Sequence, residues 1–177
     1  MTNRINVDVF KETIENTKKN PSTSIKKLEI EGTWRLDEQI GPQFETKFKT
    51  EKAGDILVQS DETIILGGGG TAPNPVQYYI SGFLACYSAT FVKWATMEGI
   101  QLNSFKIRGA ATIDISKALG LSDNPPINDL QMELFIESDA PMEKLLEINE
   151  ITKKRSPGYY CISHGILPKI DIKKNRL

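Results

Sequence analysis

The chain has little of what most metal and hydrolase chemistry uses. Among its 177 residues are two cysteines, Cys86 and Cys161, and one histidine, His164. A structural zinc site takes four ligands and a catalytic one three, and these three residues stand at a spacing that matches no common zinc pattern. A cysteine–histidine hydrolase would also need an orienting residue and an oxyanion hole, and neither is signalled. With a net charge of −1 there is no basic footprint for nucleic acid or acidic lipid. Long apolar runs are absent too: the longest, around Ile80 to Ala95, is broken by Ser81, Ser88, Thr90 and Lys93, too short and too polar to span a membrane. The start, MTNRINVDVFKETIENTKK, has no apolar export core. Two cysteines without an export signal are expected to be free or redox-active thiols in a reducing, cytoplasmic compartment. Four glycines, 67–70, precede a helix, but no Gly-Lys-Ser or Gly-Lys-Thr follows and no βαβ unit stands behind them. They read as a flexible turn that lets the chain approach that helix closely and that could border a substrate cleft.

What is present reads as one α+β domain, 1–177. Val9, Phe10, Thr13, Ile14 and Thr17 recur at helical spacing between Val7 and Lys19, and Pro21 closes that helix. Residues 1–24 thus form an N-terminal helical extension with a PSTS linker. Strand patterns follow: Leu28, Ile30, Trp34 and Leu36; then Phe44, Thr46 and Phe48 after a Gly41-Pro42 turn; then one or two short strands in 56–66. Asn74 caps and Pro75 opens a helix that runs to about Glu98, with Gly99 as its left-handed cap. Segments 104–115 and 128–138 alternate on either side of an SDNPP turn. Asp139 is expected to cap a third helix from Pro141, turning Met142, Leu145, Leu146 and Ile148 to the core, with Ser156-Pro157-Gly158 ending it. Residues 162–172, ISHGILPKIDI, read as a closing edge strand because of Pro168, with His164 an ordinary strand-edge histidine. Strands before and after a long central helix, joined mostly by turns, give an antiparallel sheet. The central helix is apolar on every side (Tyr78, Tyr79, Phe83, Leu84, Phe91, Trp94), so one sheet cannot cover it and a second copy of the chain is expected to.

Cys86 lies inside that helix, with Gly82, Phe83, Ala89 and Thr90 as its neighbours at three and four residues. Such a face suits a packed core position, since free cysteine behaves as a small hydrophobe. It also suits the floor of an apolar pocket. The thiol stands about eleven residues, roughly 16 Å, from the helix start, beyond the reach of that helix's own dipole. Reactivity would need a charged group brought from elsewhere.

Gly70-Thr71, Pro73-Asn74-Pro75 and Ala85-Cys86 together resemble the central-helix signature of the OsmC and organic hydroperoxide resistance (Ohr) superfamily. Glu98-Gly99-Ile100, Leu119 to Asp123, Ser138 to Pro141 and Arg155-Ser156-Pro157 fit its longer OsmC-like branch, which carries an N-terminal helix. The resemblance implies an intertwined homodimer with active sites at the subunit interface. It implies a cysteine-based peroxidase of the oxidative stress response, reducing organic hydroperoxides or hydrogen peroxide without metal, haem or other cofactor. By position Cys86 would be the peroxidatic cysteine and Cys161 the resolving one, approaching each other closely, with a dithiol reductant of lipoyl type restoring the pair. The family supports its thiolate with an arginine and a glutamate. Where that glutamate usually stands this chain has Val76 and Gln77, and Gln77 hydrogen-bonds without charge. Arg35 is the first candidate for the arginine and Arg108 the second. The contrasting expectation is an OsmC-like binder of small hydrophobic ligands, with no peroxidase activity and with thiols as bystanders.

Overall fold

Asparagine, serine and proline mark where three of the helices begin. The computed structural model describes residues 1–36 and 40–174. Asn6 Oδ1 accepts from Val9 N and opens α1, Val7–Lys19. Asn74 and Pro75 open the central helix α2, Pro75–Met97, which ends at Gly99 in the left-handed conformation, φ +74°. Ser156 caps and Pro157 opens α4, Pro157–His164. In each case a side-chain oxygen serves an N–H left without a partner at a helix start.

The described residues form two compact units, Met1 with 6–82 and residues 2–5 with Phe83 onward. In the first, β1 (Gly32–Trp34), β2 (Phe44–Lys49) and β3 (Asp55–Ser60) make an antiparallel sheet in that order. The alternation of residues 28–36 predicts a longer first strand. The strand itself spans Gly32, Thr33 and Trp34, opposite Thr46, Glu45 and Phe44, and Arg35 N adds a bond to Gln43 O (2.8 Å). The Gly32 backbone lies on the Phe44 ring, where any side chain would overlap it. Residues 64–66 form a single turn of 3₁₀-helix rather than a strand. Helix α1 has the bounds its spacing predicts and buries no residue.

In the second unit β4 (Ser104–Ile113) and β5 (Ile127–Glu137) pair antiparallel, with a register shift between Ala110 and Thr112. One face of this ribbon turns Phe105, Leu134 and Ile136 onto a core of Phe91, Ala95 and Ile100. Helix α3, Met142–Arg155, adds Leu145 and Ile148 to that core. Asn3 ties the end of α2, donating to Thr96 Oγ1 (2.9 Å) and Ile100 O (2.8 Å) and accepting from Leu102 N (2.9 Å).

Two sequence expectations fail here. Asp139 does not cap α3; Pro141 is the N-cap, with no side-chain cap bond, and Lys144 N and Leu145 N reach its carbonyl instead. Residues 162–172 are not a closing strand. Ser156-Pro157 at one end and Gly165, φ +55°, at the other bracket a helix that takes in residues 157–164, and residues 166–174 are irregular. His164 is therefore the last residue of α4, stacked on Tyr160 with ring centroids 4.1 Å apart.

Burial of α2 within the single chain is confined to residues from Phe83 on: Phe83, Tyr87, Thr90, Phe91, Ala95 and Thr96. Tyr79, in the first turns, stays 54% exposed. No helix among the described residues is long and apolar enough to cross a membrane. Phe91, 1% exposed and tilted against Phe105 with centroids 5.3 Å apart, is the largest side chain of the core cluster. Phe91→Ala is expected to cost about 3–5 kcal/mol of stability, read as a lowered denaturant midpoint at unchanged slope.

Candidate functional site

The second unit places Cys86 where α2 meets the first turn of α4. Its sulfur accepts from Gly158 N at 3.3 Å and lies 3.7 Å from Ser156 Oγ. A Cβ on Gly158 would come within 3.2 Å of Cys86 Cβ and 3.3 Å of Sγ, tighter than ordinary contact, so the close approach favours glycine. Cys86 is half-buried and free. Phe83, Tyr87 and Tyr159 form an aromatic wall, with ring centroids 6.3 and 6.0 Å apart. Tyr87 donates to Asn149 Oδ1 (2.7 Å). Burial, with Tyr159 and Glu150 nearby, pushes the Tyr87 phenol up to about 12. At neutral pH it remains a protonated donor and is no base.

The sequence reading looks for a charged group to meet Cys86; the fold supplies a helix N-terminus from another element. Ser156-Pro157-Gly158 carries the same cap-then-proline signature as Asn74-Pro75, and that signal would have revealed α4. Cys161 lies on α4, three residues beyond Gly158, and is exposed and free. On a helix such positions share a face.

The remaining candidates sit in ordinary structural bonds. Gln77 and Asn74 form a reciprocal cap: Asn74 N donates to Gln77 Oε1 (2.8 Å) and Gln77 N to Asn74 Oδ1 (2.9 Å). This satisfies two backbone N–H groups at the start of α2, so the polarity of Gln77 serves the helix. Arg35, in the first unit, donates to Pro42 O (3.1 Å) and lies 3.9 Å from Glu45. Arg108 faces Glu133 across the β4–β5 ribbon at 3.5 Å, an exposed pair. His164 Nδ1 lies 2.9 Å from Ser163 Oγ and 3.2 Å from Tyr160 O. No group of three or more His, Cys, Asp or Glu among the described residues could hold a metal ion.

The glycine stretch borders a cleft of about 380 Å³ that Asp61, Glu62, Asn74 and Gln77 help to line. Two carboxylates there repel an anion, which argues against a phosphate cradle. Asp61, 1% exposed, organises the loop instead: its Oδ2 accepts from Thr71 N (2.9 Å) and Thr71 Oγ1 (2.7 Å).

An antiparallel α+β architecture with a half-buried thiol against a helix N-terminus defines a thiol-bearing α+β protein. The chain belongs to the OsmC-like protein family, whose model matches residues 67–171. No curated protein matches it in sequence. Among solved structures, an OsmC-like protein from Mycoplasma pneumoniae is 18% identical, with a TM-score of 0.53 over 78% of this chain and 88% of that one. An osmotic stress induced and detoxification response protein from Psychrobacter arcticus is 12% identical, TM-score 0.56, over 82% and 93%. An organic hydroperoxide resistance protein, OsmC, from Legionella pneumophila is 15% identical, TM-score 0.53, over 78% and 91%. At these identities the likeness is one of fold.

One prediction concerns the loop. The hydrogen bonds from Thr71 hold the Asp61 carboxyl below its ordinary 3.8. Its stabilisation is therefore fully present above that pH and is lost as pH falls through the lower folded value. Wild type should lose more stability on acidification through that window than Asp61→Asn, compared by denaturant midpoints. A second concerns the cap. Gln77→Ala removes the acceptor of the Asn74 N–H, so the unfolding midpoint should fall. Gln77→Glu keeps the reciprocal bonds, and its favourable charge at a helix start, about 0.3–1 kcal/mol, is opposed by Asp61 and Glu62 in the same cleft, so its midpoint should stay near wild type.

Proposed function

We propose that the protein is a thiol-dependent hydroperoxide reductase that works through Cys86. The observation that carries this reading is the convergence of the Gly158 N–H and the Ser156 hydroxyl on a half-buried, free sulfur. A core cysteine needs no such donors, whereas a thiolate, the attacking form, accepts both. Membership of the OsmC-like family supports a peroxide-related role, as does the fold shared with the Legionella pneumophila protein.

The Cys86 thiolate attacks the terminal peroxide oxygen. An S–O bond forms, the O–O bond breaks and the alcohol leaves with the proton the thiol gave up. Sulfur is oxidised by two electrons to the sulfenic acid and the peroxide is reduced by two. Cys161, exposed one turn beyond Gly158, is proposed as the resolving thiol. Its attack forms the S–S bond and releases water. An external dithiol, of lipoyl type by family resemblance, then reduces the disulfide by exchange. A groove of about 410 Å³ in the same unit is lined by Phe91, Leu134, Leu145, Tyr87 and Tyr159, the last two being chain neighbours of Cys86 and Gly158. It suits an apolar substituent, which favours organic hydroperoxides over hydrogen peroxide. The same groove is what favours the second reading, a binder of small hydrophobic ligands.

The family's supporting arginine is proposed to be Arg35 first and Arg108 second, with Gln77 at the place of the glutamate. The proposal includes a single cytoplasmic domain and a homodimer, the second copy covering the exposed first turns of α2, where Tyr79 is open.

Addition of cumene hydroperoxide should convert Cys86 to a dimedone-reactive sulfenate in Cys161→Ser, and to a disulfide in wild type. Neither should form in Cys86→Ser, and Arg35→Ala should slow both. If Cys86 resists oxidation while an apolar fluorophore binds and is displaced by fatty ligands, the binder reading holds instead. Sedimentation at micromolar concentration should show a dimer; a monomer would remove that part of the proposal.

A further inference from the structure

Ser156 is 1% exposed and stands between α3 and α4, as the C-cap of one and the N-cap of the other. Its hydroxyl oxygen accepts from Tyr159 N at 3.3 Å. With that lone pair in use, the hydroxyl proton is free to turn toward the Cys86 sulfur, 3.7 Å away. The same cap holds the first turn of α4 in place, and that turn carries the Gly158 N–H, 3.3 Å from Sγ. One side chain thus governs both donors that meet the sulfur.

We propose that Ser156 is the positioning residue of the Cys86 thiolate, donating to it directly and aiming the Gly158 N–H at it through the cap of α4. This rests on Cys86 being the reacting thiol. Held by two donors, the sulfur keeps one orientation toward an incoming electrophile, in the partly enclosed place where α2 meets α4. The choice of an oxygen here has a second consequence. A hydroxyl does not condense with a sulfenic acid to a disulfide, so the side chain in contact with Cys86 leaves the oxidised sulfur open. The sulfenate must then meet Cys161 or an external thiol to be resolved.

The test uses full-length protein in the Cys161→Ser background, where Cys86 is the sole thiol. Its alkylation by iodoacetamide and its single-turnover oxidation by cumene hydroperoxide are measured at one fixed pH, with circular dichroism and unfolding midpoints alongside. Loss of a hydrogen bond to a charged group should slow both reactions about tenfold in Ser156→Ala, and Ser156→Thr, which keeps the hydroxyl and the cap, should recover most of that loss. Gly158→Ala keeps α4 helical while its new methyl displaces the N–H from the sulfur. It should slow both reactions without loss of helix content, which a merely structural role for this turn would not produce. The proposal is overturned if folded Ser156→Ala and Gly158→Ala both react at the wild-type rate. It also falls if rates drop only in proportion to unfolded protein. Where alkylation responds to Ser156 but wild type is inert to the peroxide, the positioning stands and the hydroperoxide reading fails.

Discussion

Everything in the second unit follows from covering one face of α2. Phe91 and Ala95 stand one turn apart and are almost wholly buried, and no polar contact could compensate for leaving Phe91 in water. The β4–β5 ribbon supplies Phe105, Leu134 and Ile136 to that face, and α3 supplies Leu145 and Ile148. Once α3 is docked there, the chain has to turn at Ser156. The short α4 then begins where Cys86 stands, a turn and more before Phe91 on the same helix.

The thiol site is therefore a by-product of helix docking that has been shaped locally. Gly158 permits the approach, since any Cβ would press on the Cys86 side chain. Pro157 fits the first helical position without forfeiting a needed N–H, and Ser156 closes the turn. Groups that a helix leaves unpaired are directed at the one polarizable atom beside them. At the sulfur those groups are the Gly158 N–H and the Ser156 hydroxyl, 3.3 and 3.7 Å away.

The same economy accounts for residues whose chemistry looked available in the sequence. Gln77 is occupied by the reciprocal bond with Asn74, Asp61 by Thr71, and Arg108 by its cross-strand pairing with Glu133. Side-chain polarity near a glycine-rich loop or a helix start goes first to backbone groups that would otherwise be unsatisfied. Among the described residues, Tyr78 and Tyr79 in the first turns of α2 stay exposed. The proposed second copy would cover them.

Local signals fixed α1 and α2 almost to the residue, because caps, prolines and periodicity act within a few positions of one another. The β4–β5 pair was equally legible from its alternation around a proline turn. Family membership, too, could be read from Pro73-Asn74-Pro75 and Ala85-Cys86, since those residues combine several uncommon local requirements. The C-terminal segment departs from its expected strand because Ser156-Pro157, which ends α3 as the sequence predicts, also begins a second helix. What no sequence pattern contained was the meeting of Cys86 with Ser156 and Gly158. Those residues lie 70 and 72 positions away in the chain. Their contact is set by how α3 packs on α2, a long-range balance of burial that no short window of sequence carries. Composition and local pattern determined the elements and the family; tertiary packing alone decided which backbone N–H would face the sulfur.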